Sequence, residues 1–234
     1  MDSVTPSPDS ARPPILARLH DAPSAQGLTI PFVTLCHRGG RMPVWGALDP
    51  ADLQLVLSFS LCQVCGHPFG DRVVVLLRPA DWLRGIGPEP GLHPECAHYA
   101  TAACPVLAAR VSHYRSRATA ARLTRCDDPQ CQCAVWKPPV TGSDEDKRAG
   151  QPIEAWYAVW IDRDHYRIAR HPGDEDTPPM AGVLLRDVPL LAIRKVRDAT
   201  PDPGARSGER TVLDVLAAVI ALDRYATGKG ASPL

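Results

Sequence analysis

The chain has 234 residues, of which 44% are hydrophobic, and its 26 basic residues balance 26 acidic ones. This length allows one large or two small domains, and the neutral balance excludes a globally basic protein that would attract nucleic acid or membranes by net charge. No charged-then-apolar leader or bilayer-length apolar run is present, so we expect a soluble cytoplasmic protein without a membrane partner. In that setting, eight cysteines favour metal ligands over disulfides.

The N-terminal part combines a polar segment with a predicted hairpin and helix. Residues 1–26 are rich in proline and polar residues, and we expect a disordered tail. Strands over 30–35 and 43–48 form the hairpin, and Asp49 begins a helix that leads to Cys62. The predicted inward-facing residues of this helix are Leu53, Leu55, Val56 and Leu57.

Two short ligand pairs follow, and they are the strongest signal in the sequence. A Cys-x2-Cys pair precedes a His-x2-Cys pair across residues 66–92, a spacing that suits a tetrahedral structural zinc. Gly66 permits a tight turn after the first pair, and Pro94 is placed to begin a helix that carries the second pair. The predicted zinc ligands are Cys62, Cys65, His93 and Cys96.

The segments around these pairs predict a treble-clef-like module. Residues 73–78 form a β-branched run typical of a buried strand, and the glycines and prolines of 85–91 form a return loop. A knuckle, a β-segment and a helix would then surround the metal. Two alternatives stay open at this point: thiols that are buried by chance near an unrelated histidine, and a disulfide.

An arginine-rich helix is predicted over residues 106–125, with Pro105 either kinking the preceding helix or beginning this one. Its apolar residues recur at helical spacing, and no acidic residue lies between Glu95 and Asp127. Such a face could bind the phosphates of a nucleic acid, or it could be a solvated helix face balanced by acids elsewhere. The candidate nucleic-acid-binding residues are Arg110, Arg115, Arg117, Arg122 and Arg125.

A second cysteine cluster follows that helix. Cys126, Cys131 and Cys133 could provide three ligands of a second metal, completed by Cys104, by Cys36 or by a histidine such as His113. Free cysteines and a redox-sensitive loop are the alternatives, and the spacing matches no ferredoxin pattern.

The C-terminal part is predicted to be a small sheet with one helix. After a linker over 139–152, residues 155–162 and 165–170 are expected to pair as a hairpin, and 182–186 and 190–196 add two strands. A loop over 198–210 precedes a helix capped by Thr211 and Asp214. Its predicted buried residues are Val212, Val215, Leu216, Val219 and Ile220.

These elements predict an α+β fold, in which a treble-clef-like zinc module is flanked by a β-hairpin and a small antiparallel sheet with a C-terminal helix. The zinc-binding module with its arginine-rich helix is expected over 27–138. The sheet and helix over 153–227 are expected to pack on it, and 228–234 form a tail.

Several motifs resemble those of a protein family. LCQVCG, HPECAHYATAACPVL and WYAVWIDRDHYRIAR followed by GVLLRDVP are similar to the LCxxCG, HxxCAxYAxxxCPxL and AVWxxRxY motifs of uncharacterised zinc-binding proteins from actinobacteria and their phages. The resemblance implies that Cys62, Cys65, His93 and Cys96 are metal positions, with Cys104 as a companion. The segment 126–133 and the acidic linker depart from the pattern.

Two classes of function follow. The first is a structural zinc-binding protein of bacterial or phage origin that interacts with nucleic acid or with a host protein. The second is a metal-dependent enzyme that uses the Cys126, Cys131 and Cys133 cluster, where three thiols would leave a coordination position open. A His-Asn-His nuclease is disfavoured, because His67 is the sole histidine between the ligand pairs and the chain contains no asparagine.

Overall fold

The structure is a computed structural model that describes residues 13–37, 42–117, 123, 125–137, 147–172, 180–201 and 211–227. These residues form a mixed α and β protein built from small antiparallel sheets, as the sequence predicts, with a helix near the C-terminus. Within the described ranges, no helix combines the length and the apolar character that crossing a bilayer requires.

The strands are β1 (Ser24–Ala25), β2 (Leu28–Thr29), β3 (Thr34–His37), β4 (Met42–Leu48), β5 (Arg72–Leu77), β6 (Ile86–Gly87), β7 (Trp156–Asp162), β8 (Ile168–His171), β9 (Met180–Leu184) and β10 (Leu190–Arg197). The helices are α1 (Pro50–Phe59), α2 (Pro79–Arg84), α3 (Pro94–Ala103) and α4 (Val212–Ala226). Three-residue 3-10 helices lie at Ala17–Leu19, Gln132–Ala134 and Arg163–His165.

A three-stranded sheet in the order β10-β7-β5 forms the centre of the protein. Residues 73–77 of β5 are all buried, which confirms the predicted strand and explains its uninterrupted run of β-branched and aliphatic residues. Because β7 pairs with β5 on one side and β10 on the other, the two predicted parts of the chain share one sheet. Helix α3 packs against β5, and α4 packs against β10.

The described N-terminal residues differ from the predicted tail. Residues 17–19 form a 3-10 helix whose Leu19 is buried in the main core, and β1 pairs with β2. Leu16 also packs against this core, so the segment buries enough apolar surface to be ordered despite its prolines. Residues 1–12 lie outside the described residues.

The hairpin and first helix match their predictions closely. Strands β3 and β4 pair antiparallel, and Asp49 caps α1 by accepting hydrogen bonds from the backbone N–H groups of Ala51 and Asp52. Leu53 and Val56 are buried, and Leu57 is partly buried against them, as predicted. The prediction for Leu55 was wrong, because its side chain is exposed.

The predicted arginine-rich helix is not formed in the described part of 106–125. Helix α3 ends at Ala103, and the backbone of Cys104 is extended because the residue before Pro105 avoids the helical region. A turn with Ala109 in the left-handed conformation follows, and 110–117 contains no helix or strand. The prediction was wrong because Pro105 ends the helix rather than beginning a new one.

The predicted hairpin of 155–162 with 165–170 is also corrected. Both strands exist, but β7 has its two edges occupied by β5 and β10, whereas β8 pairs with β9 in a separate sheet of order β6-β9-β8. The 3-10 helix at Arg163–His165 carries the chain from one sheet to the other. The strands predicted over 182–186 and 190–196 are present as β9 and β10.

Helix α4 begins as predicted but buries a different face. The Asp214 carboxylate accepts hydrogen bonds from the Thr211 backbone and hydroxyl, which forms the predicted cap. Leu216 and Ile220 pack against the core, but Val212, Val215 and Val219 were predicted to be buried and are exposed. The predicted stripe joined residues from two faces of a helix that is apolar on both.

A buried ion pair stabilises the start of α2. Neither the pair nor this helix was predicted from the sequence. Arg78, at the end of β5, is buried and donates to both carboxylate oxygens of Asp81, at 2.9 Å and 2.6 Å, and to Glu154 at 3.2 Å. Asp81 also accepts from the Arg78 backbone N–H, so its oxygens are paired although it is fully buried. The contact of Arg78 with Glu154 ties the end of β5 to the chain entering β7.

We expect Asp81→Ala to lower the free energy of unfolding by about 3–5 kcal/mol, because it leaves the Arg78 guanidinium buried without its main partner. Denaturant unfolding followed by circular dichroism measures the change. Asp198→Ala is the control: Asp198 pairs with Lys195 at 3.2 Å but is 87% exposed, so it should cost at most ~1 kcal/mol. Equal costs for the two variants would contradict the assignment.

Candidate metal centres

The first group of ligands joins a turn to the first turn of a helix. Cys62 and Cys65 lie in the turn after α1, His93 is the N-cap residue of α3, and Cys96 lies in the first turn of α3. Pro94 occupies the first helical position, as predicted. The structure therefore brings together the four residues that the spacing selects, and their ligand atoms all lie within 4.8 Å of one another.

The imidazole of His93 presents one nitrogen to the sulfurs. Its Nδ1 lies 3.4 Å from the Sγ of Cys65, and its Nε2 lies 2.9 Å from the carbonyl oxygen of Pro68. A carbonyl only accepts, so Nε2 donates to it, and Nδ1 is the nitrogen that faces the cysteines and can bind a metal once its proton is displaced. Histidines that bind metals are usually oriented by a second hydrogen bond of this kind.

The close approach of four ligands redistributes their protons. Hydrogen bonds with Cys62, which has the larger effect, and with Cys96 lower the pKa of the Cys65 thiol far below its usual range. Hydrogen bonds with Cys62 and Cys65 raise the pKa of His93 to about 10, and the same two cysteines raise the pKa of Cys96. A divalent cation that binds here displaces these protons, so metal binding and proton release are coupled.

The surroundings of this group are apolar and closely packed. Cys62 and Cys96 are fully buried, and the Phe69 ring packs edge-on against His93 with centroids 5.7 Å apart. Gly66 has a φ of +72°, and a Cβ there would lie 2.7 Å from the Phe32 ring. Glycine is therefore required for both the turn and the packing beside it.

The second group combines a short loop with a distant histidine. We call residues 125–137 the cysteine loop. Its Cys126, Cys131 and Cys133 lie with His37, the last residue of β3, and these four ligand atoms also lie within 4.8 Å of one another. The Sγ atoms of Cys126 and Cys133 are 3.6 Å apart, and His37 Nδ1 is 3.5 Å from the Sγ of Cys131.

Backbone N–H groups support these sulfurs. The N–H of Cys126 donates to the Sγ of Cys133 at 3.4 Å. The backbone N–H of Cys133, followed by the His37 ring, lowers the pKa of the Cys131 thiol to about 6. This arrangement favours the thiolate form that a metal requires.

Trp136 holds the cysteine loop against the first hairpin, and Arg125 stabilises the loop itself. The indole N–H of Trp136 donates to the carbonyl of Leu48 at 2.7 Å, and the Trp136 ring is buried with Leu35 and Ala47. Arg125 donates to the carbonyls of residues 133 and 134 within the loop. The second group therefore forms part of the attachment of this loop to β3 and β4.

The fourth member of the second group differs from those that the sequence suggested. Cys104 lies at the end of α3, packed against the main core, and belongs to neither group among the described residues. Cys36 points away along β3 and donates to the Thr34 carbonyl, and His113 lies beside Ser112. His37 was not predicted as a ligand. It lies between the two predicted strands of the hairpin, and only tertiary packing brings it to the cysteine loop.

Three of the four described candidate nucleic-acid-binding arginines donate to backbone carbonyls. Arg110 donates to Ala102 and Ala103 at the C-terminus of α3, where cations favour the helix dipole, and Arg115 donates to Trp45 at 2.7 Å. Arg125 is used within the cysteine loop, as described above. Arg117 is exposed, and Arg122 lies outside the described residues.

Both groups offer three sulfurs and one imidazole nitrogen, which fill the four positions of a tetrahedral ion. A structural site is closed in this way, whereas a catalytic zinc keeps one position for water or substrate. In the second group, His37 offers the fourth ligand atom beside the thiols of Cys126, Cys131 and Cys133, so no coordination position is left open for water or substrate. The arrangement suits metal-dependent stabilisation of the fold.

Comparison with protein-family models, with curated proteins and with solved structures finds no match to this chain.

We expect the two groups to bind metal independently, at two ions per chain. Cys96→Ser should remove one ion and lower the stability of the main core, because it leaves three ligands there, whereas Cys126→Ser should remove one ion and leave the stability of the central sheet unchanged. Elemental analysis gives the ion count, and denaturant unfolding followed by circular dichroism gives the stability. Cys104→Ser is the matched control and should retain both ions; loss of an ion from that variant would contradict the assignment.

Proposed function

We propose that this chain is a non-enzymatic zinc-binding protein whose two metal centres hold a surface for a protein partner. The observation that supports this is the presence of two closed Cys3His sets. Three sulfurs with one imidazole suit zinc, which has no redox chemistry of its own and takes tetrahedral sites of this composition. In this proposal the ions stabilise a fold instead of activating water.

The spacing of the ligand atoms suits a tetrahedral ion of the size of zinc. Tetrahedral coordination with Zn–S of about 2.3 Å and Zn–N of about 2.05 Å requires sulfurs about 3.8 Å apart and a nitrogen about 3.6 Å from each sulfur. The Cys126–Cys133 pair is at 3.6 Å, and the two imidazole-to-sulfur distances are 3.4 Å and 3.5 Å. The ligands therefore stand close to the distances at which zinc would hold them.

The first centre is treble-clef-like in this proposal. The knuckle at Cys62 and Cys65 is followed by β5, whose Val74 exchanges two backbone hydrogen bonds with Leu92, and then by α3 with its first turn beside the ligands. This succession of knuckle, β-pairing and helix supports the treble-clef description. We also propose that the protein is cytoplasmic and is related to the actinobacterial and phage zinc proteins whose motifs it resembles.

A protein partner is favoured over nucleic acid by the use of the arginines. Arg110, Arg115 and Arg125 each donate to backbone carbonyls, so their guanidinium groups contribute to the fold. A phosphate would have to compete with those contacts. Helix α4 instead exposes several large apolar side chains on one face, and a contiguous apolar patch is typical of protein-binding surfaces.

Zinc occupancy can be tested by substitution with cobalt. We expect Co²⁺ to restore the fold of chelator-treated protein, with the intense visible absorption of tetrahedral thiolate sites, and Zn²⁺ to displace it. The absorption should fall by about half in Cys126→Ser, in line with one of two sites. Six-coordinate weak absorption, or refolding without any divalent ion, would contradict the proposal.

Nucleic-acid binding is the result that would contradict a protein partner. We expect labelled single-stranded and double-stranded DNA and RNA to show no salt-sensitive anisotropy change with the zinc-loaded protein. Binding that weakens steeply with salt, and that is lost in the Arg115→Ala, Arg122→Ala double variant, would establish nucleic acid as the partner. Thermal unfolding of the variant serves as the control, because Arg115 also contacts Trp45.

A further inference from the structure

Helix α4 has two apolar faces, and the protein covers one of them. Leu213 is fully buried against the main core, and Leu216, Ala217 and Ile220 pack beside it. On the other side an apolar stripe stays exposed: Val215 is 53% exposed, Val219 55% and Leu222 67%. We call this the α4 stripe; its members are Val212, Val215, Val219, Leu222 and Ala226.

The α4 stripe has the spacing of a helix-pairing seam. Its members follow one another at intervals of three, four, three and four residues, which is the heptad pattern of the a and d positions. At roughly 100° per residue they lie within about a quarter of the helix circumference. The apolar face of a helix is normally covered, so a second apolar face with this spacing suits contact with another helix.

We propose that the α4 stripe packs against the α4 stripe of a second copy of this chain, in an antiparallel helix pair about a twofold axis. No charged residue lies between Val215 and Leu222, so the partner surface must be apolar and of the same period. An identical stripe satisfies both conditions, and a twofold axis lets each copy bury the surface of the other.

The charges at the ends of the helix favour the antiparallel arrangement. Asp223 is exposed in the last turn, beside the stripe. In a parallel pair the two Asp223 carboxylates would stand at the same level and repel each other. In an antiparallel pair each lies beside the first turn of the partner helix, where the dipole attracts a carboxylate. Asp214, in that first turn, is already paired with Lys195 at 2.8 Å.

The available area fits a modest dimer. The stripe exposes on the order of a few hundred Å², a size at which an apolar patch on a monomer is often functional. Helix α2 contacts α4 and exposes Leu83 at 71%. A stable interface buries ~800 Å² on each partner, so the stripe would be its centre, with α2 and polar residues around it.

Light scattering coupled to size exclusion tests the pair on the full zinc-loaded chain, across a range of concentrations. We expect the mass of two chains for the unchanged protein and of one chain for Leu222→Lys and Val219→Glu. Phe59→Lys is the matched control, because Phe59 is 68% exposed on another helix, and it should remain dimeric. Zinc content and circular dichroism show whether each variant is folded, and they also test the metal proposal separately from the dimer.

Three results would overturn the inference. The first is a single-chain mass at every concentration, and the second is a dimer that the α4 substitutions leave intact. The third is a full-length monomer that becomes dimeric when residues 228–234 are removed, which would assign the stripe to the chain's own tail. For the orientation, Asp223→Ala should weaken an antiparallel dimer by about two- to fivefold, whereas a stronger dimer would indicate parallel helices.

Discussion

The convergence of four potential metal ligands is the constraint on which the centre of the protein depends. The two cysteines of the knuckle and the first turn of α3 bring three sulfurs and an imidazole into an apolar interior, where unpaired polar groups are costly. Contacts connect these ligands to the surrounding residues. Phe69 packs on His93 and on Tyr166, and the Tyr166 hydroxyl accepts a hydrogen bond from the Gly91 backbone N–H. The approach of β8 to the core is thereby tied to the ligand set.

The second group has the same residue types in a different setting. The first group lies inside the main core, whereas His37 and the cysteine loop lie where a short chain segment meets the first hairpin. The cysteine loop contains one 3-10 turn and few buried side chains, Trp136 being the largest. A segment with so little apolar surface needs cross-links to hold one conformation, which is the situation in which a metal contributes most to order.

Features that depend on neighbouring residues could be predicted from the sequence, and those that depend on tertiary contacts could not. The proline and capping signals placed α1 and α3 within a residue, and the first ligand set followed from two local pairs. Strand pairing did not follow, because β7 and β8 are adjacent in sequence yet belong to different sheets. His37 lies far along the chain from Cys126, and only the packing of the hairpin on the cysteine loop brings them together. Arginine spacing could not show that backbone carbonyls would accept the hydrogen bonds.

The misread face of α4 shows why periodicity alone is insufficient for such a helix. Periodicity identifies the core-facing side only when the opposite side is polar. In α4 both sides are apolar, so the pattern supports two equally good stripes, and the β10 surface selects the one with Leu213 at its centre. The remaining stripe places Val215, Val219 and Leu222 on the surface of successive turns of one helix. An exposed apolar seam carries a cost in solubility, and this cost is relieved when the seam contacts another helix. The second stripe is therefore better explained as a contact surface than as excess core.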